Sequence, residues 1–202
     1  MFKFNSVAAA LGVVAATGGL PAQANPVNFT AILNGASESP PNASPGTGTA
    51  TVAFDIIAHR MDVHVIFAGL IGNTTAAHIH CCTAAPRTGN VGVATTTPNF
   101  AGFPLGVTSG DYEILLDMTL ASSYNPNFVT AQGGIAKAEI ALYNGMRAGK
   151  DYFNVHSSFA GGGEIRGFLN EVPEPASLAL VLLALGGASL STRKRAAPAF
   201  SA

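Results

Sequence analysis

The sequence predicts an all-β protein: an antiparallel β-sandwich with one short packed helix, and a separate apolar helix near the C-terminus. Between residues 26 and 170, many short runs alternate apolar and polar side chains with a period of two. Glycine, proline, asparagine and serine separate these runs, as is typical of sandwiches and barrels. The segment 25–171 is a common size for one domain.

The clearest strand is 61–67, where every second residue is apolar and Asp62 and His64 lie between them. Such a strand buries one face and exposes the other, so His64 is expected at the surface, and no partner motif for it is recognisable. The same alternation and the turn residues give the full set of predicted strands: 28–35, 48–57, 61–69, 75–82, 91–97, 109–119, 151–158 and 164–170.

One segment, 135–148, departs from this alternation and predicts a helix. It is rich in alanine, and Gly149 follows it as a C-cap residue. Its apolar residues recur at helical spacing on one face: Ile135, Ala138, Leu142 and Met146. We expect this helix to pack against the sandwich and lead into the strand that begins near residue 151.

Two connections carry unusual residues. Prolines and glycine break the chain after the first strand, so 38–46 is expected to be a surface loop. The loop 98–106 is aromatic for an exposed connection. Phe100 and Phe103 either fold back onto the domain edge or form an exposed contact patch.

Residues 1–24 have the parts of a secretory signal peptide. Lys3 supplies the positive start, 7–14 is apolar, and Ala22 and Ala24 form a small-x-small cleavage site. The expected consequence is export through the Sec machinery, with cleavage after Ala24.

The C-terminal segment 172–196 has three parts in a fixed order. The tripeptide Pro173-Glu174-Pro175 comes first, an apolar stretch 176–191 follows, and a basic cluster ends the segment: Arg193, Lys194 and Arg195. The stretch is at the short end of what spans a bilayer. The basic cluster favours a cytoplasmic C-terminus. Residues 197–202 are expected to be a disordered tail.

This order of tripeptide, apolar helix and basic cluster resembles the PEP-CTERM sorting signal of Gram-negative bacteria. The resemblance implies an exosortase as partner, which recognises the tripeptide and removes the tail. It also implies transient insertion in the inner membrane, then a location at the outer surface or outside the cell. A permanent membrane anchor is the alternative.

Three segments of the domain together resemble the CHRD domain, over residues 28–169. They are FTAILNGASESPP at 29–41, Gly69-Leu70 leading to AHIH at 77–80, and GKDYFNVH at 149–156 with GEIRG at 163–167. The resemblance implies a β-sandwich of the kind found in chordin and in secreted bacterial proteins. It implies no established activity, and the ligand of chordin is not carried over to a bacterial chain.

His78 and His80 share one strand face, because residues two apart in a strand point the same way. Alternation in the strand 151–158 puts His156 on the non-core side as well. Three imidazoles suit a transition metal, with Cu or Zn as the candidates, although the sequence does not identify a cofactor. The His-Ile-His pattern partly resembles the Cu/Zn superoxide dismutase sandwich. A full ligand set for two metals and a bridging histidine are not recognisable, so dismutase activity is not expected.

Asn154, Glu164 and Arg166 also fall on the non-core side of their strands by alternation. If the strands are neighbours, these residues and the three histidines form one polar cluster. The alternative to a metal site is therefore a structural network, in which carboxylate and guanidinium groups hold the imidazoles and join two strands.

Cys81 and Cys82 follow the histidines directly. The exported chain meets an oxidising environment, where free thiols are unusual. The pair is interpreted as a disulfide between adjacent residues or an inert pair; a cross-link to another chain and a soft metal ligand are the alternatives. If the strand continues through the pair, Cys82 shares the face of His78 and His80.

The composition excludes nucleic acid as a partner. Residues 25–171 hold six Lys/Arg and ten Asp/Glu, and nucleic-acid affinity comes mainly from basic residues. Motifs of nucleophilic, phosphate-binding and dinucleotide-binding enzymes are not recognisable, so enzymatic activity stays open and is not favoured.

The leading hypothesis is an exported envelope or extracellular-matrix protein that binds a partner protein or a polysaccharide. The second is a metal-binding domain that uses His78, His80 and His156. The third is self-association through sheet edges or the loop 98–106.

Overall fold

The computed structural model describes residues 25–173. The predicted signal peptide with Ala22 and Ala24 therefore lies outside the described residues. So do Glu174, Pro175, the apolar stretch and the basic cluster of the tail. Within 25–173, no helix has the length and apolar character needed to cross a bilayer.

Eight strands and two α-helices make up the described segment. The strands are β1 (Val27–Asn34), β2 (Thr47–Asp55), β3 (Arg60–Ala68), β4 (Thr74–His80), β5 (Gly110–Asp117), β6 (Tyr152–Ser157), β7 (Ile165–Phe168) and β8 (Asn170–Glu171). The helices, both between β5 and β6, are α1 (Pro126–Gln132) and α2 (Ile135–Arg147). Short 3-10 turns lie at Gly35–Ser37 and Ala121–Ser123.

All strands belong to one antiparallel sheet with the order β4-β6-β7-β1-β2-β3-β5, and β8 pairs with β1. The sheet curls into a half-barrel, and this confirms the predicted all-β class. The topology joins β4 and β6, which are distant in the sequence, as direct neighbours. This pairing positions the candidate site.

Side chains on the inner face of the curled sheet form the apolar core, as the alternation predicts. Met61, Val63, Val65 and Phe67 of β3 are each at most 1% exposed, and Asp62 and His64 lie on the other face. The aromatic loop adds to this core: Phe100 stacks on Phe153, and both are 0% exposed.

The burial of the aromatic loop decides between the two interpretations of that segment. Phe103 is 4% exposed and stacks on the ring of Phe67 at the edge of the core. The two phenylalanines therefore fold back onto the domain, as the first alternative has it, and the alternative of an exposed contact patch is wrong. Self-association through these rings is excluded, because their apolar surface is already covered.

The helix predicted at 135–148 is confirmed as α2, and α1 was not predicted. Helix α1 begins after Asn125, whose side chain accepts a hydrogen bond from the N–H of Asn127, with Pro126 in the first turn. It ends at Gly133, whose φ of 81° lies in the left-handed region that favours glycine.

The predicted strand 91–97 is wrong. This segment runs beside β4 but makes only isolated bridges, between His80 and Val93 and between Thr95 and Tyr124. The side-chain hydroxyl of Thr95 accepts the hydrogen bond from the N–H of Ile79, at 2.9 Å. A side chain thus takes the place of a backbone carbonyl, and a regular ladder does not form.

Candidate functional site

The structure brings His78, His80 and His156 together on one face of the β4–β6 pair. Residues opposite each other in an antiparallel pair share a face, and here His80 faces Tyr152 while Ala76 faces His156. His156 therefore lies diagonally across from His78. One ring nitrogen from each histidine lies within 4.8 Å of the others.

The remaining ring nitrogen of each histidine lies against a backbone carbonyl oxygen. The distances are 2.6 Å from His78 Nε2 to Pro98, 2.8 Å from His80 Nδ1 to Val91, and 2.9 Å from His156 Nδ1 to Gly161. A carbonyl oxygen only accepts hydrogen bonds, so these nitrogens carry the protons. The nitrogens that converge at the centre then present lone pairs.

The converging lone pairs have no donor among the described residues. His78 Nδ1 and His156 Nε2 lie 3.2 Å apart, and His80 Nε2 is buried with no hydrogen-bond partner in the part of the chain that the structure describes. Two acceptors at this distance repel unless a cation lies between them. Zinc bonds of roughly 2.0–2.1 Å in tetrahedral geometry would place ligand nitrogens about 3.3 Å apart.

Burial keeps these rings neutral. His78 and His80 are 6% and 8% exposed, and desolvation lowers the pKa of each to about 4. Desolvation also lowers the pKa of the partly exposed His156. Each ring is therefore neutral at pH 7, with one nitrogen protonated and the other free to bind a metal.

The predicted polar cluster is divided in two. Asn154 and Arg166 both contact the carboxylate of Glu38, at 3.1 Å and 3.8 Å, and all three side chains are buried. Arg166 also lies 4.7 Å above the ring of Tyr152, which stacks on His80 at 4.6 Å. This half of the cluster supports the face that carries the histidines.

Glu38 shows where the loop prediction for 38–46 fails. It is 6% exposed rather than at the surface, because Asn154 and Arg166 draw its carboxylate inward. Desolvation raises the pKa of Glu38 to about 7, although the nearby guanidinium acts in the opposite direction. The alternation of polar residues gave no sign of it, because Glu38 belongs to no strand.

Glu164 does not join the histidines or Arg166. Its carboxylate accepts hydrogen bonds from the Ser44 and Ser157 hydroxyls and from the N–H groups of Ile71 and Gly72. Burial alone would raise the pKa of Glu164. The four hydrogen bonds together have the larger effect, so the pKa is lowered. Its position just before β7 makes it an anchor for two loops.

Cys81 and Cys82 form a disulfide, as the first of the sequence interpretations has it. The strand does not continue through the pair, so the expected alignment of Cys82 with the histidines is wrong: β4 ends at His80, and both sulfurs lie near Ala141 of α2. Their Sγ atoms lie 3.7 Å and 3.5 Å from the carbonyl oxygen of Ala141.

Asp151 lies beside this disulfide and was missed by the sequence analysis. It is 0% exposed, and burial raises its pKa to about 9. The burial of Asp151 could have been predicted from the alternation of its predicted strand, since Asp151 lies two and four residues before the core residues Phe153 and Val155. Gly145 of α2 allows the close approach: a Cβ there would lie 2.3 Å from a carboxylate oxygen of Asp151.

The two histidines outside this face have partners of their own. His64 is at the surface as predicted, and its Nε2 lies 2.7 Å from Asp111 on β5, a partner that no sequence motif indicated. His59 contacts Glu139 of α2 at 2.8 Å. Neither belongs to the group of three, which makes them matched controls for it.

Comparison with known protein families gives two matches. A family described as the CHRD domain matches residues 29–169, and the PEP-CTERM protein-sorting motif matches residues 171–195. No curated protein matches the chain.

Proposed function

The chain belongs to the CHRD domain family and carries a PEP-CTERM sorting motif, which marks it as exported and processed by an exosortase; from this premise, we propose that it delivers a metal-binding domain to the cell envelope. The tail holds the protein at the membrane before processing. The processed protein then reaches the outer surface or the extracellular matrix.

The metal is held by His78 Nδ1, His80 Nε2 and His156 Nε2. One observation carries the proposal: one ring nitrogen of each imidazole lies within 4.8 Å of the other two, while the remaining nitrogens lie at hydrogen-bond distance from backbone carbonyl oxygens. Metal-ligating histidines almost always have this second hydrogen bond, which fixes the tautomer and the ring orientation. A purely structural network would have no need of buried lone pairs without donors.

The donor set selects the class of metal. Neutral imidazoles suit Zn, Cu and Ni, whereas Mg and Ca prefer oxygen ligands. Three protein ligands would leave one position of a tetrahedral zinc ion for water or another molecule. The partial exposure of His156 places this centre near the surface.

Metal content tests this proposal. The exported protein, purified from periplasm without a histidine tag, is expected to contain about one Cu or Zn per chain by elemental mass spectrometry. The His78→Ala/His80→Ala variant is expected to contain almost none, because loss of two of three ligands removes chelation. The matched control His59→Ala/His64→Ala also lacks two histidines and should keep its metal.

Metal at the same level in both double variants would contradict the proposal, since binding would then not depend on the cluster. Absence of metal from the wild-type protein, even after dialysis against Zn²⁺ or Cu²⁺ and removal of the free ion, would also contradict it. In that case the histidines would belong to a structural network.

Partner or polysaccharide binding is the second candidate, and it is supported by the outer face of the sheet. Ile32 and Ile66 lie on either side of Thr49 in register, and they are 66% and 49% exposed. Exposed apolar side chains on a polar surface can mark a binding surface. Thr47 and Thr49 of β2 are exposed on this face, and their hydroxyl groups can bind sugars.

Co-sedimentation with purified extracellular polysaccharide tests this second candidate. We expect Ile32→Lys/Ile66→Lys to lower the bound fraction at least several-fold, because the charges remove apolar contact. Ile140 of α2, 53% exposed, provides the control variant Ile140→Lys, which should bind like the wild type. Equal binding by all three proteins would exclude this face as the polysaccharide site.

A further inference from the structure

We propose that the Cys81–Cys82 disulfide is a redox-active site that exchanges with small thiols, and that Asp151 supplies the proton for this exchange. The two sulfurs and a carboxylate oxygen of Asp151 lie within 4.8 Å of one another. This site is separate from the three histidines, because the sulfurs turn toward α2.

A cavity gives thiols access to the disulfide. It has a volume of about 600 Å³ and is lined by both cysteines, by Gly92 and by α1 residues that include Ala131. Cys81 is 3% exposed, whereas Cys82 is partly exposed and is the sulfur that an incoming molecule meets. Disulfides that exchange must be accessible to the attacking sulfur.

The contacts of Asp151 with the described residues do not account for the burial of its carboxyl group. Within residues 25–173, neither carboxylate oxygen of Asp151 has a hydrogen-bond partner, and burying a polar group without one costs free energy. Burial raises the pKa of Asp151 to about 9, so at neutral pH it holds a proton beside the sulfurs. A neutral acid in this position can protonate a thiolate as it forms.

The exchange proceeds in two displacements. A substrate thiolate forms a bond to Cys82 Sγ, the Cys81–Cys82 bond breaks, and Cys81 leaves as a thiolate that takes the proton of Asp151. A second substrate thiolate then attacks the substrate sulfur of the mixed disulfide, and Cys82 leaves and takes a proton. Two thiols are oxidised to a disulfide and the protein disulfide is reduced to two thiols, while protons from the substrate thiols replace those consumed.

The test is the rate at which dithiothreitol reduces the folded protein at pH 7, followed by alkylation and mass spectrometry. We expect two alkylated cysteines in the wild type. Asp151→Asn should react about tenfold more slowly, which is a modest value for loss of a proton donor. The difference should disappear above pH 9, where Asp151 has lost its proton. Ala131→Trp, which fills the cavity, should also slow the reaction.

Two control variants separate these effects from general damage. Asp117→Asn changes an exposed carboxylate at the end of β5, and Ala136→Trp adds the same ring at an exposed position of α2 outside the cavity lining. Both should react like the wild type. Thiols that appear only after denaturation, or equal rates for Asp151→Asn and the wild type at pH 7, would overturn the proposal.

Discussion

Replacing His78 and His80 by glutamine is expected to make the metal-free protein several kcal/mol more resistant to acid. In the folded state the pKa of each ring is about 4, whereas a histidine in an unfolded chain has a pKa near 6.5. Between these values the unfolded state binds more protons, so acid favours unfolding. At pH 4.5 the loss is on the order of 2 kcal/mol for each histidine.

The measurement is the free energy of unfolding in urea at pH 7 and pH 4.5, compared between the wild type and His78→Gln/His80→Gln. The comparison with a variant is needed because Glu38 and Asp151 have raised pKa values and act in the opposite direction. His64→Gln controls for a histidine at the surface, and its pH dependence should follow that of the wild type. A parallel pH dependence for all three proteins would show that the buried rings are not neutral in the folded state.

Alternation predicted the faces of the candidate site but not its composition. The period of two put His78, His80 and His156 on non-core faces, and the structure places them there. The pairing of β4 with β6 could not be predicted from the sequence, because 71 residues separate the end of one strand from the start of the other. Which polar residues meet across strands depends on that pairing.

The sequence-based predictions of the polar residues failed mainly where these residues lie outside strands. Glu38 and Glu164 lie beside strands rather than within them, so the alternation of side chains along a strand does not predict the face on which they lie. The two acids separate because one binds a guanidinium and an amide, while the other binds backbone N–H groups of a loop. The carboxyl of Asp151 was overlooked because a buried acid without a partner contradicts the usual rule for polar residues.

Asp151→Asn is expected to stabilise the protein at pH 7, by on the order of 4 kcal/mol. The folded state holds the proton of Asp151 up to a pKa of about 9, whereas the unfolded chain releases it near pH 4. The folded state therefore binds more protons between these values, and stability falls as the pH rises through them. Asparagine is neutral in both states and removes this cost.

Urea unfolding at pH 7 and pH 4 measures the effect, and the gain in stability of the variant should be large at pH 7 and nearly absent at pH 4. Asp117→Asn is the control. Hydrogen bonds from Thr119 lower the pKa of Asp117, so replacing this carboxylate should not stabilise the protein. No gain for Asp151→Asn at pH 7 would mean that Asp151 is ionised in the folded protein.

The Asp151→Asn variant is expected to be more stable than the wild type but to exchange more slowly with thiols. Asparagine removes the cost of a buried acid, but it also removes the proton that the leaving sulfur takes. A residue kept at a cost in stability is typical of functional sites, where activity requires an arrangement that folding alone would not favour. A variant that is both more stable and slower to be reduced would assign that cost to the chemistry of the disulfide, whereas a more stable variant reduced at the wild-type rate would leave the burial of Asp151 without a functional cause.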